Sequence, residues 1–147
     1  MRWIAGIGIA LAFAALLAGC GRPAEKLPSA CIQGPGPVMK ALANAPGAVT
    51  IDGTPISRCF NRDASGDDVQ IVGTNLLAAA EQLGDRARAG DSTAALRLGY
   101  LVGAAERGAR HSGLGSEIIR RIEMETSGLS HGQRAYERGH RAGLTQG

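Results

Sequence analysis

Aromatic residues are nearly absent: one Trp, two Tyr and two Phe in 147 residues, 3% of the chain. Neither sign of charge dominates, with 16 Lys plus Arg against 13 Asp plus Glu. These shortages remove the stacking platforms and the basic excess that nucleic-acid binding uses. Histidine occurs only at His111, His131 and His140, and cysteine only at Cys20, Cys31 and Cys59. No C-x-x-C or H-E-x-x-H spacing joins them, so no metal site or cofactor is expected. Three cysteines are too few for a disulfide-dense scaffold and an odd number for simple pairing. No apolar run reaches membrane-spanning length. The run from Ile4 to Leu17 has 14 residues, against the roughly 20 needed to cross about 30 Å of hydrocarbon. The length allows one domain, which excludes a large α/β enzyme and a polytopic membrane protein.

What is present begins at the N-terminus. A single cation, Arg2, precedes the apolar run, which ends in Leu17-Ala18-Gly19-Cys20. Charge, apolar length and small residues before the cysteine fit the pattern of a secretory signal. Residues 1–20 resemble the signal and lipobox of bacterial lipoproteins. The resemblance implies cleavage before Cys20 and a covalent lipid on its thiol. Two or three acyl chains, at about 0.8 kcal/mol per buried methylene, hold a protein firmly on a bilayer. The expected location is therefore the outer face of the cytoplasmic membrane, or an outer membrane in a two-membrane envelope. Gly21 follows the cysteine, so the Asp that favours inner-membrane retention in such proteins is absent.

Removing residues 1–19 leaves 128 residues, with 28 large apolar side chains beside 19 alanines. Their core must be thin and closely packed. Residues 20–30 read as a lipidated tether, with Pro23, Pro28 and no periodicity. A single mostly helical domain is expected over 31–147. With Cys20 used by lipid, Cys31 and Cys59 form one pair in an oxidising compartment and are expected to be disulfide-bonded. Inside that loop, Pro37 to Asn44 has helical composition. Val49 to Ile51, the Asp52-Gly53 turn and a return over Ile56 to Phe60 read as a small hairpin.

From residue 65 the chain reads as helix. Ser65, Asp67 and Asp68 supply an N-terminus, and Val69, Val72, Leu76, Ala80, Leu83 and Ala87 form a stripe that Gly90 ends. Asp91 and Ser92 open a second helix, with Leu98, Leu101 and Ala105 on its apolar face and Gly108 as its stop. Ser116 opens a third, with Ile118, Ile119 and Ile122 inward. Glu117, Arg121 and Glu125 stack along its outer face. Ser130 and Gln133 match a capping box for a fourth helix, from His131 to about Gly143. The expected fold is a small bundle of three to four antiparallel helices with an N-terminal disulfide-stapled loop or β-hairpin.

Several motifs bear on function. Gly99 and Gly103 form G-x-x-x-G, extended by Ala95, and Gly139 and Gly143 repeat the spacing. Glycine costs about 1 kcal/mol inside a helix relative to alanine. Close approach of a second helix would offset that, so these residues are read as helix-packing or interface positions. Both helices carry too many charges to span a bilayer. Gly128 to Gly132 matches G-x-S-x-G, but the nucleophile elbow of hydrolases needs a strand before the serine. Here the preceding segment reads as helix. Asn61 to Gly66 opens like a calcium loop, but its twelfth position is Val72 where a glutamate is required. Arg134, Arg138 and Arg141 fall at i, i+4 and i+7 and form a possible anion-facing stripe. Arg110, Arg120 and Arg121 are candidates to widen it, and Glu137 is a candidate partner for Arg141. The resulting expectation is a non-catalytic, membrane-tethered module that binds an envelope protein or an anionic envelope component. The alternative is a small ligand-binding lipoprotein with a pocket between its helices.

Overall fold

The computed structural model describes residues 27–60, 66–109 and 113–147. Residues 1–26 lie outside it, and with them the signal, the lipobox and Cys20. Within the described residues the chain is mainly helical, with one two-stranded antiparallel sheet and a Cys31–Cys59 disulfide. After a 3-10 turn at Ser29–Ile32 come α1 (Pro35–Leu42), β1 (Thr50–Ile51), β2 (Thr54–Pro55) and a second 3-10 turn at Ile56–Phe60. Then follow α2 (Gly66–Arg88), α3 (Ser92–Ala109), α4 (Gly113–Met124) and α5 (Gln133–Gln146).

At the N-terminal end of the described residues, Leu27 packs against the core and the Cys31 amide donates to the Pro28 carbonyl at 2.9 Å. The hairpin is shorter than expected. Asp52 and Gly53 both take positive φ, 49° and 77°, as the tight turn demands. Strand pairing covers only Thr50–Pro55 and Ile51–Thr54. One further bond follows, from the Ile56 amide to the Val49 carbonyl at 3.2 Å. The chain then winds into the 3-10 turn, which buries Ile56, Ser57, Cys59 and Phe60.

The α2–α3 junction shows how local chemistry sets the helix directions. Gly90, at φ 97°, takes the left-handed conformation. Asp91 N–H then reaches the Arg86 carbonyl and Gly90 N–H the Ala87 carbonyl, both at 3.0 Å, the two bonds of a Schellman cap. Asp91 then caps α3: Oδ1 accepts from the amides of Thr93 at 2.9 Å and Ala94 at 3.0 Å. Its other oxygen takes Arg86 Nη2 at 2.6 Å. The Ala94 amide bond first, then the Arg86 bond, hold the Asp91 carboxyl below its ordinary range. Asp91→Ala is expected to cost about 1–2 kcal/mol at neutral pH. Because the folded value is lowered, that contribution is present above the unfolded value of about 3.9 and fades as pH falls through the folded one. Denaturant titrations at neutral and acid pH should show the gap between wild type and Asp91→Ala closing in acid. A constant gap would reject the assignment.

α3 is the central element. The eight residues from Leu98 to Ala105 are all buried, which requires partners on every side. α5 covers one side, and α2, α4 and the 3-10 turn at Ile56–Phe60 cover others. Gly108 does not stop the helix. α3 continues to Ala109, and a Cβ on Gly108 would collide with the Ser57 carbonyl and lie 2.8 Å from Phe60 Cβ. The glycine therefore admits another segment's backbone.

The tightest helix pair, α3 with α5, is not antiparallel. Ala95 lies at Gly132, Gly99 at Tyr136 and His140, and Gly103 at His140 and Leu144. Residue numbers rise together, so the two helices run in the same direction, with α4 as the crossover between them. Connection length governs consecutive helices. It does not choose which nonconsecutive helices pack most closely.

Candidate functional site

The two small-residue motifs meet each other. A Cβ on Gly99 would strike the Tyr136 carbonyl, and one on Gly103 the His140 carbonyl. From the other side, Gly139 meets the Leu96 carbonyl and Gly143 the Tyr100 carbonyl. Gly132 extends the seam, with Ala95 Cβ 2.6 Å from where its own Cβ would stand. Ala95, Gly99, Gly103, Gly139 and Gly143 are thus one intramolecular backbone-to-backbone contact.

Polar groups fasten the edges of this seam. His140 Nε2 donates to Glu106 Oε1 at 2.8 Å, and its ring stacks against Tyr136 with centroids 6.0 Å apart. Arg107 Nη1 donates to the carbonyls of Leu144 and Thr145, so a cation covers the C-terminal end of α5, where it also complements the helix dipole. Ser57 Oγ donates to the Gly147 carbonyl at 2.8 Å. Burial first, then the charges of Glu106 and Glu123, push the Tyr136 phenol up to about 12, so it keeps its proton at neutral pH. Tyr100 is fully buried, and its hydroxyl accepts the Val49 amide at 3.1 Å. Burial raises this phenol as well, and the Val49 bond opposes the shift. Sequence reasoning missed Glu106, Arg107 and Tyr100. Aligning the two glycine motifs in parallel register would have placed His140 beside the helical turn that follows Gly103.

The outer face of α5 is different. Arg134, Arg138 and Arg141 are exposed on the side opposite Ala135, Gly139 and Gly143. None of the three makes an ion pair among the described residues, and Arg141 does not pair with Glu137. Arg120 and Arg121 do not extend this face. Glu117 accepts from Arg120 Nε and Nη2 at 2.9 Å and from Arg121 Nε at 2.8 Å. Those bonds hold the Glu117 carboxyl down to about 2. Glu125 turns from Arg121 to Arg88, at 3.3 Å across to α2. Arg110 and His111 lie outside the described residues, as do Asn61 to Ser65 of the calcium-like loop.

Ser130 sits in the helix-to-helix turn before α5, with no strand preceding it, so the G-x-S-x-G match is not a nucleophile elbow. It is not the helix cap either. Gly132 holds that position, and no side chain bonds the first turn. Among the described residues no group of three or more His, Cys, Asp or Glu is placed to hold a metal ion. None of their helices is long and apolar enough to cross a membrane. A groove of about 410 Å³ lies between α2 and α4, lined by Val69, Gly73, Leu77 and Ile118 together with the polar Gln70, Thr74, Glu117 and Arg121. No family model, curated protein or solved structure matches this chain.

Proposed function

We propose that the protein is a non-catalytic envelope lipoprotein whose helices, α2 to α5, act as one small bundle that binds an envelope protein or an anionic envelope component. The observation that carries this reading is the pairing of Cys31 with Cys59 in a chain whose third cysteine, Cys20, closes a lipobox-like segment. Disulfides persist in the compartments where lipoproteins reside. The rigid α3–α5 seam adds support, because it presents three arginines on a fixed surface. Cys20→Ala is expected to move the protein from the membrane fraction to the soluble fraction, or to leave an uncleaved precursor. Full retention of a normally processed chain would reject the lipid anchor. Crosslinking in intact envelopes, followed by recovery of the tagged chain, tests for the bound component.

The groove between α2 and α4 favours a second reading, a lipoprotein that holds a small apolar ligand. Its size falls within the range of ligand pockets, which are apolar with a few placed polar groups. An acyl-chain fluorophore should then bind the wild-type protein and lose affinity about tenfold or more when Leu77→Glu puts a charge in the groove lining. Equal binding by both proteins would reject this reading.

A further inference from the structure

We propose that the outer face of α5 docks flat on an anionic phospholipid surface, with Arg134, Arg138 and Arg141 as its contacts; this rests on the lipid-anchor reading above. The charge pattern is concentrated on α5. Arg86, Arg88, Arg120 and Arg121 are each bound by a carboxylate, and Arg107 is committed to the end of α5. Lys40, Arg58 and Arg97 also lack an ion pair among the described residues, but they stand singly on three different elements. The three α5 arginines are exposed, share one face and engage no carboxylate among the described residues. Glu137 is the single acidic residue of α5. Glu106, on the neighbouring helix, is occupied by His140.

The same face lacks what a protein partner would grip. Arg134, Glu137, Arg138, Arg141 and Thr145 form it, and none is aromatic or large and apolar. In protein interfaces arginine anchors act in packed, desolvated pockets beside aromatic residues, whereas a fluid array of phosphate headgroups needs only accessible cations. Rigidity adds to the fit. The glycine seam holds α5 against α3 along its length, so the three guanidinium groups are offered together. Reach is sufficient. Six residues separate Cys20 from Leu27, where the chain joins the core, and the seven Cα steps between them span at most about 25 Å. The domain therefore stays within one molecular diameter of the bilayer, where each basic residue contributes about fivefold to partitioning and three contribute on the order of a hundredfold.

The test uses the full chain bound to vesicles of phosphatidylcholine, with or without about one-third phosphatidylglycerol. Phenylglyoxal modification of each arginine is followed by peptide mass spectrometry. Arg134, Arg138 and Arg141 should react at least about fivefold more slowly on the anionic vesicles, Arg86 should react equally on both, and about 0.5 M salt should erase the difference. Equal rates at the three arginines on both vesicles overturn the proposal. So does protection that appears only with a soluble anionic polymer or a recovered protein. The acyl mass on Cys20, read from the same sample, scores the anchor separately. An acylated chain with unprotected arginines removes the docking surface and leaves the anchor in place.

Discussion

Gly99→Ala is expected to destabilise the protein by about 3 kcal/mol, although alanine is the better helix former. In an exposed helix interior the exchange would gain up to about 1 kcal/mol. At Gly99 the added methyl would overlap the Tyr136 carbonyl oxygen, with the His140 amide nitrogen 3.0 Å away. The obstacle is backbone, which cannot change rotamer. Relief requires α5 to move off α3, and that opens the contacts at Gly103, Gly139 and Gly143 together. Overpacking a dense core costs about 1–3 kcal/mol. A rigid obstacle shared along a helix seam belongs at the top of that range. Gly36 supplies the control, since it lies in α1 and nothing stands within 4 Å of its missing Cβ. Gly36→Ala should cost no more than about 1 kcal/mol, since its one constraint is Pro37, which disfavours helical backbone in a preceding residue with a Cβ. Urea titrations of both variants check the pair, with Gly99→Ala expected to melt about 10 °C lower. Equal stability would mean that α3 and α5 do not touch at Gly99.

That prediction also marks how far the sequence could be read. Glycine inside helices that should reject it pointed to close packing, and the structure places both motifs in one contact. What the spacing could not supply was the partner or the direction, because G-x-x-x-G reports closeness without orientation. The helix starts at Asp91 and the Ile122 side of α4 were legible, since caps and apolar periodicity are local. Gly108 was misread for the same local reason. Its role is set by the Ser57 backbone, about fifty residues earlier in the chain. The capping role assigned to Ser130 also yields to tertiary geometry. Gly132 must pass beneath Ala95 to start the seam, and this places the helix boundary after it. The arginine stripe was visible from its spacing. Its isolation from carboxylates was not, because Glu137 stands four residues before Arg141, a spacing that reads as an ion pair the structure does not form.

Loss of the Cys31–Cys59 bond is expected to cost about 3–4 kcal/mol. The two residues are 28 apart in sequence, and closing a loop of this length removes about that much from the unfolded chain's entropy. The region it closes has little independent means of support. α1 has 8 residues and each strand has 2, below what folds alone in water. Its links to the rest are few but buried. Asn75 Nδ2 on α2 donates to the Cys31 carbonyl at 3.2 Å, and the Val49 amide donates to the Tyr100 hydroxyl on α3. Without the crosslink, residues 31–60 must hold their place through those bonds, the Ser57 bond to the Gly147 carbonyl, and the burial of Val49, Ile51, Ile56 and Phe60. The effect should therefore be uneven. After reduction with the thiols alkylated, or in the double variant Cys31→Ala/Cys59→Ala, amide exchange at Val49 and Ile56 should accelerate about a hundredfold or more. The α3–α5 seam should keep most of its protection, because its contacts at Gly99, Gly103, Gly139 and Gly143 involve no residue of the loop, which reaches the two helices through Ser57 at Gly108 and Gly147. Uniform loss of protection across both regions would show that the disulfide supports one cooperative unit, and unchanged exchange at Val49 would show that the core alone holds the loop in place.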